Sequence, residues 1–216
     1  MKRTLRYVQS FVISLSLIAL IALGKSAQGA STMGVTAIDA NGLIAEFDSN
    51  PDAQNLVVVF LGTQCVISRR MISRLNELAA MATELNFDFY GLFPNHWDTL
   101  NSINTFKREY EVGFPLLLDR EAQVAKRLKP MVSPESFVFD KNKGLVYRGR
   151  IDNRFVSIGV LRNQITRHDL FDAMQSVSQG RLPAISETEP VGCVYGDWDG
   201  NLTTKKSIQH GSHAIE

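Results

Sequence analysis

Apolar residues come in short runs broken by polar turns, and one uninterrupted run, Leu56–Leu61, stops at Gly62. A continuous apolar strand of this kind is buried on both faces of a sheet. Beyond it, Ile67, Met71, Leu75, Leu78, Ala82 and Leu85 recur at three- and four-residue spacing. That stripe predicts a helix over about Val66–Leu85, lying against the sheet. Cys65 falls at the turn between strand and helix.

The remaining pattern predicts an alternating order. Val35–Ile38 and Leu43–Phe47 flank Asn41-Gly42, a strong hairpin signal. Phe87–Phe93 is a second strand, followed by a helix with Asp98 as its N-cap and Leu100, Ile103, Phe106 and Tyr110 along one side. Gly113 and Pro115 stop it. Leu116–Leu118 is a short extended piece, and Asp119 caps a short helix that runs through Leu128 and ends at Pro130. Ser136–Phe139 and Leu145–Ile151 form an antiparallel hairpin around residues 140–144. A last helix starts at Thr166, where Thr-Arg-His-Asp imitates a capping box, and ends before Gly180. Residues 152–165 have no assignable pattern, and periodicity is lost after Gly180. The order β-α-β-α-(short helix)-β-β-α makes this an α/β chain with a central mixed β-sheet flanked by helices and an N-terminal β-hairpin.

The 216 residues, 44% hydrophobic with seven prolines, fit a single domain with extensions. A formal net charge of +1 gives no electrostatic case for nucleic acid. At the N-terminus, Lys2, Arg3 and Arg6 precede the uncharged stretch Phe11–Leu23, and Ala27-Gln28-Gly29 supplies small residues at the spacing of a cleavage site. The expected organisation is a signal peptide at 1–29, one domain at 30–195 and a disordered tail at 196–216. Export to the periplasm is the expectation from this reading, with membrane contact only through the N-terminal segment; the alternative is a segment left uncleaved, with the chain secreted or anchored to the membrane.

Position gives Cys65 its chemistry. The free N–H groups and dipole at a helix start favour a thiolate, and Arg69 and Arg70 add positive charge one turn on. Cys193 is the second of two cysteines. In an oxidising compartment the pair can bridge, and closing so long a loop is credited with about 4 to 5 kcal/mol. Three readings of Cys193 stand side by side: a resolving thiol, half of a permanent staple, or an exposed thiol with another partner. His96 is a proton-donor candidate or a loop histidine. A copper site around Cys65, His96, His210 and His213 is the competing class, weakened by the lack of a second nearby cysteine. No haem-attachment motif and no glycine-rich phosphate loop appears, so no cofactor is expected.

A strand, a cysteine opening the next helix, Ser133-Pro134 before a later strand, a hairpin and a closing helix together resemble the thioredoxin-like fold. More narrowly, the chain resembles the peroxiredoxin-like branch of the redoxins, the alkyl hydroperoxide reductase and thiol-specific antioxidant group. Phe60–Arg70, Phe114–Asp119, Ser133–Asp140, Tyr147–Asp152, Thr166–Ala173 and Pro190-Val191-Gly192-Cys193 carry the likeness. The resemblance implies a redox-active Cys65, a cis bond before Pro134 beside it, and an arginine, Arg150 or Arg148, that steadies the thiolate or a peroxide oxygen. It also implies a peroxide or disulfide substrate and a thiol or dithiol reductant protein as partner.

Three positions depart from the pattern. The second cysteine of a Cys-x-x-Cys motif is replaced by Ser68, and the places of the peroxiredoxin threonine and proline hold Gly62 and Val66. Thr63, two residues before Cys65, is the remaining hydroxyl candidate. The alternative to an oxidoreductase is a non-catalytic binding module stapled by a Cys65–Cys193 disulfide.

Overall fold

A computed structural model describes residues 54–196 and Trp198, with the backbone of two strands, β1 (Val35–Asp39) and β2 (Ile44–Phe47). The expected signal segment 1–29, the tail beyond Trp198, and His210 and His213 lie outside the described residues.

The apolar run becomes β3 (Asn55–Phe60), and the amphipathic stripe becomes α1 (Val66–Glu84). Next come β4 (Phe87–Phe93), α2 (Leu100–Glu109), β5 (Leu116–Leu118) and the short α3 (Gln123–Leu128). A two-residue strand β6 (Val132–Ser133) precedes the hairpin β7 (Glu135–Asp140) and β8 (Gly144–Gly149). A small hairpin, β9 (Phe155–Ser157) and β10 (Val160–Leu161), precedes α4 (Asp169–Ser178), and β11 (Cys193–Val194) is the last strand among the described residues.

Seven strands form one mixed sheet in the order β2-β1-β5-β4-β3-β7-β8. β3, β4 and β5 are parallel, and β1 and β7 join them antiparallel. The run at β3 is continuous because both faces are covered. Val57, Val59 and Leu61 pack with Leu75, Leu78, Ile103, Phe106 and Met174 from α1, α2 and α4. Val58 and Phe60 face the other way, among Val124 and Ala125 of α3, Phe137 and Tyr195.

This topology delivers the ends of β3 and β4, the start of β7 and the end of β8 to one edge, since Phe60 pairs with Glu135 and Ser136 with Gly149. Crevices at the carboxyl ends of parallel strands are where such sheets present their chemistry.

Several boundaries differ from the sequence expectation, each for a local reason. Thr99, not Asp98, caps α2: its hydroxyl accepts the Ser102 N–H and the Ser102 hydroxyl accepts the Thr99 N–H. Asp98 is withdrawn to serve the preceding turn. α4 begins at Asp169, because Thr166 is held back by Asn153, whose Oδ1 accepts from the Thr166 and Arg167 backbone. Asp119 does accept the Ala125 N–H at 2.8 Å, although the residue at the cap is Ala122 in a left-handed conformation. The unassigned 152–165 segment contains the β9–β10 hairpin.

Candidate functional site

The turn from β3 into α1 is fixed from three directions. The Cys65 N–H donates to the Gly62 carbonyl at 3.1 Å, and Cys65 becomes the N-cap, its sulfur 3.4 Å from the Ser68 N–H. Arg69 reaches back and donates twice to the Thr63 carbonyl, from Nε at 3.0 Å and Nη2 at 2.8 Å. The Thr63 hydroxyl and N–H both donate to Asp98 Oδ1, while Asn95 donates to Asp98 Oδ2 at 2.9 Å. Asp98 is buried, and it ties the loop after β4 to the loop after β3.

The second half of the site is a strap, residues 190–196, whose β11 lies antiparallel to β6. Cys193 pairs with Ser133 and Val194 with Val132, and the Tyr195 N–H donates to the Met131 carbonyl at 3.0 Å. Gly192 permits the contact: a Cβ there would stand 2.3 Å from the Ser133 carbonyl oxygen. Tyr195 drives its ring into the lower core and donates its hydroxyl to the Leu61 carbonyl at 2.9 Å. Trp198 packs against it, ring centres 5.1 Å apart, and donates to the Pro130 carbonyl at 2.8 Å. Burial pushes the Tyr195 phenol well above its ordinary value, with the Asp98 and Glu135 carboxylates adding to the shift.

Cys65 and Cys193 are joined by a disulfide, their Cα atoms 5.9 Å apart, inside the range that native bridges occupy. The Ser133 carbonyl oxygen lies 3.0 Å from the Cys65 sulfur, and the Ser133–Pro134 bond is cis. A cleft of about 110 Å³ opens beside the bridge, walled by Gly62, Gln64, Asn95, Trp97, Ser133 and Tyr195. It is large enough for a small oxidant or one side chain.

The other residues nominated from sequence sit around this pair. Thr63 belongs to the same turn, with its hydroxyl proton directed to Asp98. Pro134 and Arg150 share a void of about 10 Å³ with Ile67, Met71 and Val191, on the flank of α1. The Arg150 Nε is 2.7 Å from the buried Asp169 carboxylate, and that hydrogen bond holds the guanidinium above its ordinary value. Arg148 is engaged with buried Glu135, from Nη2 at 2.7 Å and Nε at 3.1 Å, and lies over the Phe137 ring. Glu135 in turn accepts the Met131 N–H at 2.6 Å, so this pair shapes the loop leading into β6. His96 is exposed and stacks edge-on against Trp97 at 4.6 Å. Among the described residues no three His, Cys, Asp or Glu side chains gather to hold a metal ion.

Asp98, Asn95, Arg69 and Tyr195 were not singled out for these roles from sequence. Asp98 was legible only as a helix cap. Tyr195 had no periodic pattern around it, and a buried aromatic two residues beyond a cysteine is the only trace it leaves.

A mixed sheet with a cysteine at the N-cap of the helix after its central strand, opposite a cis-proline loop, defines a thioredoxin-like fold. The chain belongs to the AhpC/TSA family, whose model matches residues 30–148. Arg150 and the strap with Cys193 lie beyond that span. No curated protein matches the sequence. Among solved structures, a hypothetical protein from Sinorhizobium meliloti 1021 shares the fold at 23% identity and a TM-score of 0.66, over 78% of this chain and 94% of that one. An uncharacterized conserved protein from Geobacillus kaustophilus does so at 19% identity and a TM-score of 0.62, over 79% and 92%. A secreted Mycobacterium tuberculosis disulfide oxidoreductase aligns at 14% identity and a TM-score of 0.48, over 68% and 96%.

Proposed function

We propose that the protein is an exported thiol oxidoreductase that cycles Cys65 between a thiolate and a disulfide with Cys193. The observation that carries this reading is the bridge itself, which joins a helix-capping cysteine to one on a separate strap across a small open cleft. With a peroxide, the Cys65 thiolate attacks the nearer oxygen, the O–O bond breaks, and an alkoxide leaves to take up a proton. Cys65 is then a sulfenic acid. Attack by the Cys193 thiol expels water and closes the bridge. With a disulfide substrate, two thiol–disulfide exchanges give the same product. A dithiol protein returns both cysteines to thiols, and no cofactor is required.

Pro134 follows Ser133, whose carbonyl lies against the Cys65 sulfur, Thr63 holds the turn through Asp98, and Arg150, paired with Asp169, sits on the flank of α1. Lys2, Arg3, Arg6 and the apolar stretch behind them support export, and no helix among the described residues is long and apolar enough to cross a membrane. The periplasm is the compartment this favours.

One observation favours the competing reading of a binding module with a permanent staple: Cys65 is only 4% exposed with the bridge closed. Alkylation mass spectrometry separates the two. A bridge that opens in mild reductant and re-forms with a small excess of hydrogen peroxide or oxidised glutathione supports the enzyme. One that resists mild reductant, or whose thiols ignore both oxidants, supports the staple.

A further inference from the structure

We propose that the β9–β10 hairpin is a membrane-docking finger: its apolar tip enters the interface of a bilayer while Arg154 and Arg162, at its base, meet anionic headgroups. The hairpin takes no part in the bridge, so the docking stands whether or not the cysteines cycle. It gives the chain a membrane contact beyond the one expected of the N-terminal segment.

The tip is apolar where a turn is normally polar. Val156, Ile158, Val160 and Leu161 are 40–64% exposed, with only Ser157 and Gly159 between them. Contiguous exposed apolar residues mark an interaction surface. The finger is also firmly held. Phe155 is buried in the core and lines one small void with Ile67, Met71 and Val191. Asp152 Oδ1 accepts the Arg154 N–H at 2.9 Å, and Asn153 Oδ1 accepts from the Thr166 and Arg167 backbone at 3.0 and 3.1 Å, which clamps both ends of the segment.

The placement of these side chains selects the occupant. Val160 pairs across the hairpin with Ser157. Side chains alternate along a strand and cross-strand partners share a face, so Val156 and Val160 lie on opposite faces of the ribbon. Ile158 stands at the turn. A partner protein or a second copy laid on one face would leave the other in water, whereas the acyl boundary of a bilayer closes around the tip on every side.

Charge selects the lipid. Residues 153–168 contain Arg154, Arg162 and Arg167 and no Asp or Glu. The Arg162 N–H donates to the Arg154 carbonyl at 2.8 Å, so these two arginines share a rung directly behind the apolar segment. Both are exposed, and neither is ion-paired among the described residues. From that rung to Ile158 is four residue steps, about 13 Å at 3.3 Å each. An interfacial apolar element sinks about 5–10 Å, and an arginine stem spans the rest with its guanidinium left among phosphates.

Hydrogen-exchange mass spectrometry on the intact chain, with its N-terminus as the cell leaves it, tests this. Amides of 155–162 are followed without lipid, with phosphatidylcholine vesicles, and with vesicles of phosphatidylethanolamine and phosphatidylglycerol. Exchange there is expected to slow severalfold on the anionic vesicles alone. An N-terminal segment still attached would hold every variant to the vesicles alike, so local protection, not sedimentation, decides. Ile158→Ser with Val160→Ser should abolish the protection. Arg154→Gln with Arg162→Gln should lower the docking equilibrium about 25-fold at low salt, about fivefold for each arginine. All four positions are exposed, so both double variants should keep the bridge and the wild-type Tm, which separates lost docking from lost fold. Unchanged exchange at 155–162 on anionic vesicles would overturn the proposal and leave the tip to a protein partner. Equal protection on phosphatidylcholine, or protection that survives either double substitution, would overturn it too. Protection without lipid that rises with protein concentration would assign the tip to a second copy of the chain instead.

Discussion

Replacing Tyr195 with Phe tests whether the strap is seated by the contact described. The ring, wedged among Val58, Phe60 and Phe137, is retained, and only the hydroxyl is lost. Its bond to the Leu61 carbonyl is 2.9 Å long and wholly buried, so the substitution strands an acceptor away from water. Leaving such a group unpaired costs about 1–3 kcal/mol. Urea unfolding of the oxidised protein at pH 7 is expected to lose stability by that amount, with an unchanged slope. The same pair of proteins makes a second, opposite prediction at alkaline pH. Burial holds the folded phenol well above its ordinary value. A raised group stabilises the fold below the unfolded value, near pH 10, and that contribution is lost as pH rises toward the folded value. Wild type therefore falls by about 1.4 kcal/mol per pH unit above pH 10 relative to Tyr195→Phe, and the gap between them narrows. Tyr147, also raised by burial, titrates in both proteins and cancels from the difference. A loss below about 0.5 kcal/mol at pH 7, together with a gap that stays constant up to pH ~11, would refute the seating of the strap through this hydroxyl.

Two other perturbations read the same architecture. Gly192→Ala sets a methyl group 2.3 Å from the Ser133 carbonyl oxygen and 2.7 Å from its carbon, backbone against backbone, so the strap must lift off β6. Thiol titration of the isolated variant should find a reduced bridged fraction and melting should come earlier; full bridging at the wild-type Tm would contradict the close approach. Asp119→Asn addresses a carboxyl that burial holds above its ordinary value, against the N–H groups of Ala125, Val124 and Gln123. A raised carboxyl supports the fold below about pH 4 and loses that contribution as pH climbs through its folded value, so wild type should decline relative to the variant between pH ~4 and pH 7. Parallel pH profiles in urea unfolding would remove the buried carboxyl from the account.

The sheet and its flanking helices were readable because burial on two faces writes an unmistakable run at Leu56–Leu61, and burial on one face writes the Ile67–Leu85 stripe. β7 and β8 were readable for the same reason, and their meeting at the cysteine edge followed from antiparallel pairing. Asp98 was misread as a cap because a short polar side chain before a helix looks alike whether it bonds forward to the helix or backward to Thr63. The partners of Arg150 were invisible: Asp169 is 19 residues away in the chain, and strand alternation says which side an arginine faces without saying what awaits it. The strap was the hardest part. Its few hydrogen bonds are nonlocal, and neither period 2 nor period 3.6 marks a segment held by one glycine and two aromatic rings.

The disulfide also turns most of the molecule into a closed ring with two arms. Residues 65 through 193 lie inside the covalent circuit, with β3 on one arm and Tyr195 and Trp198 on the other. A molecule unfolded by pulling on its ends can lengthen only by its arms while the circuit is closed. Cutting the bridge releases 128 residue steps at once, roughly 420–460 Å of contour at full extension. In a force-extension record, oxidation state is thus written as a length, and a single molecule held between beads in dilute reductant announces the opening of its own bridge as one step of that size.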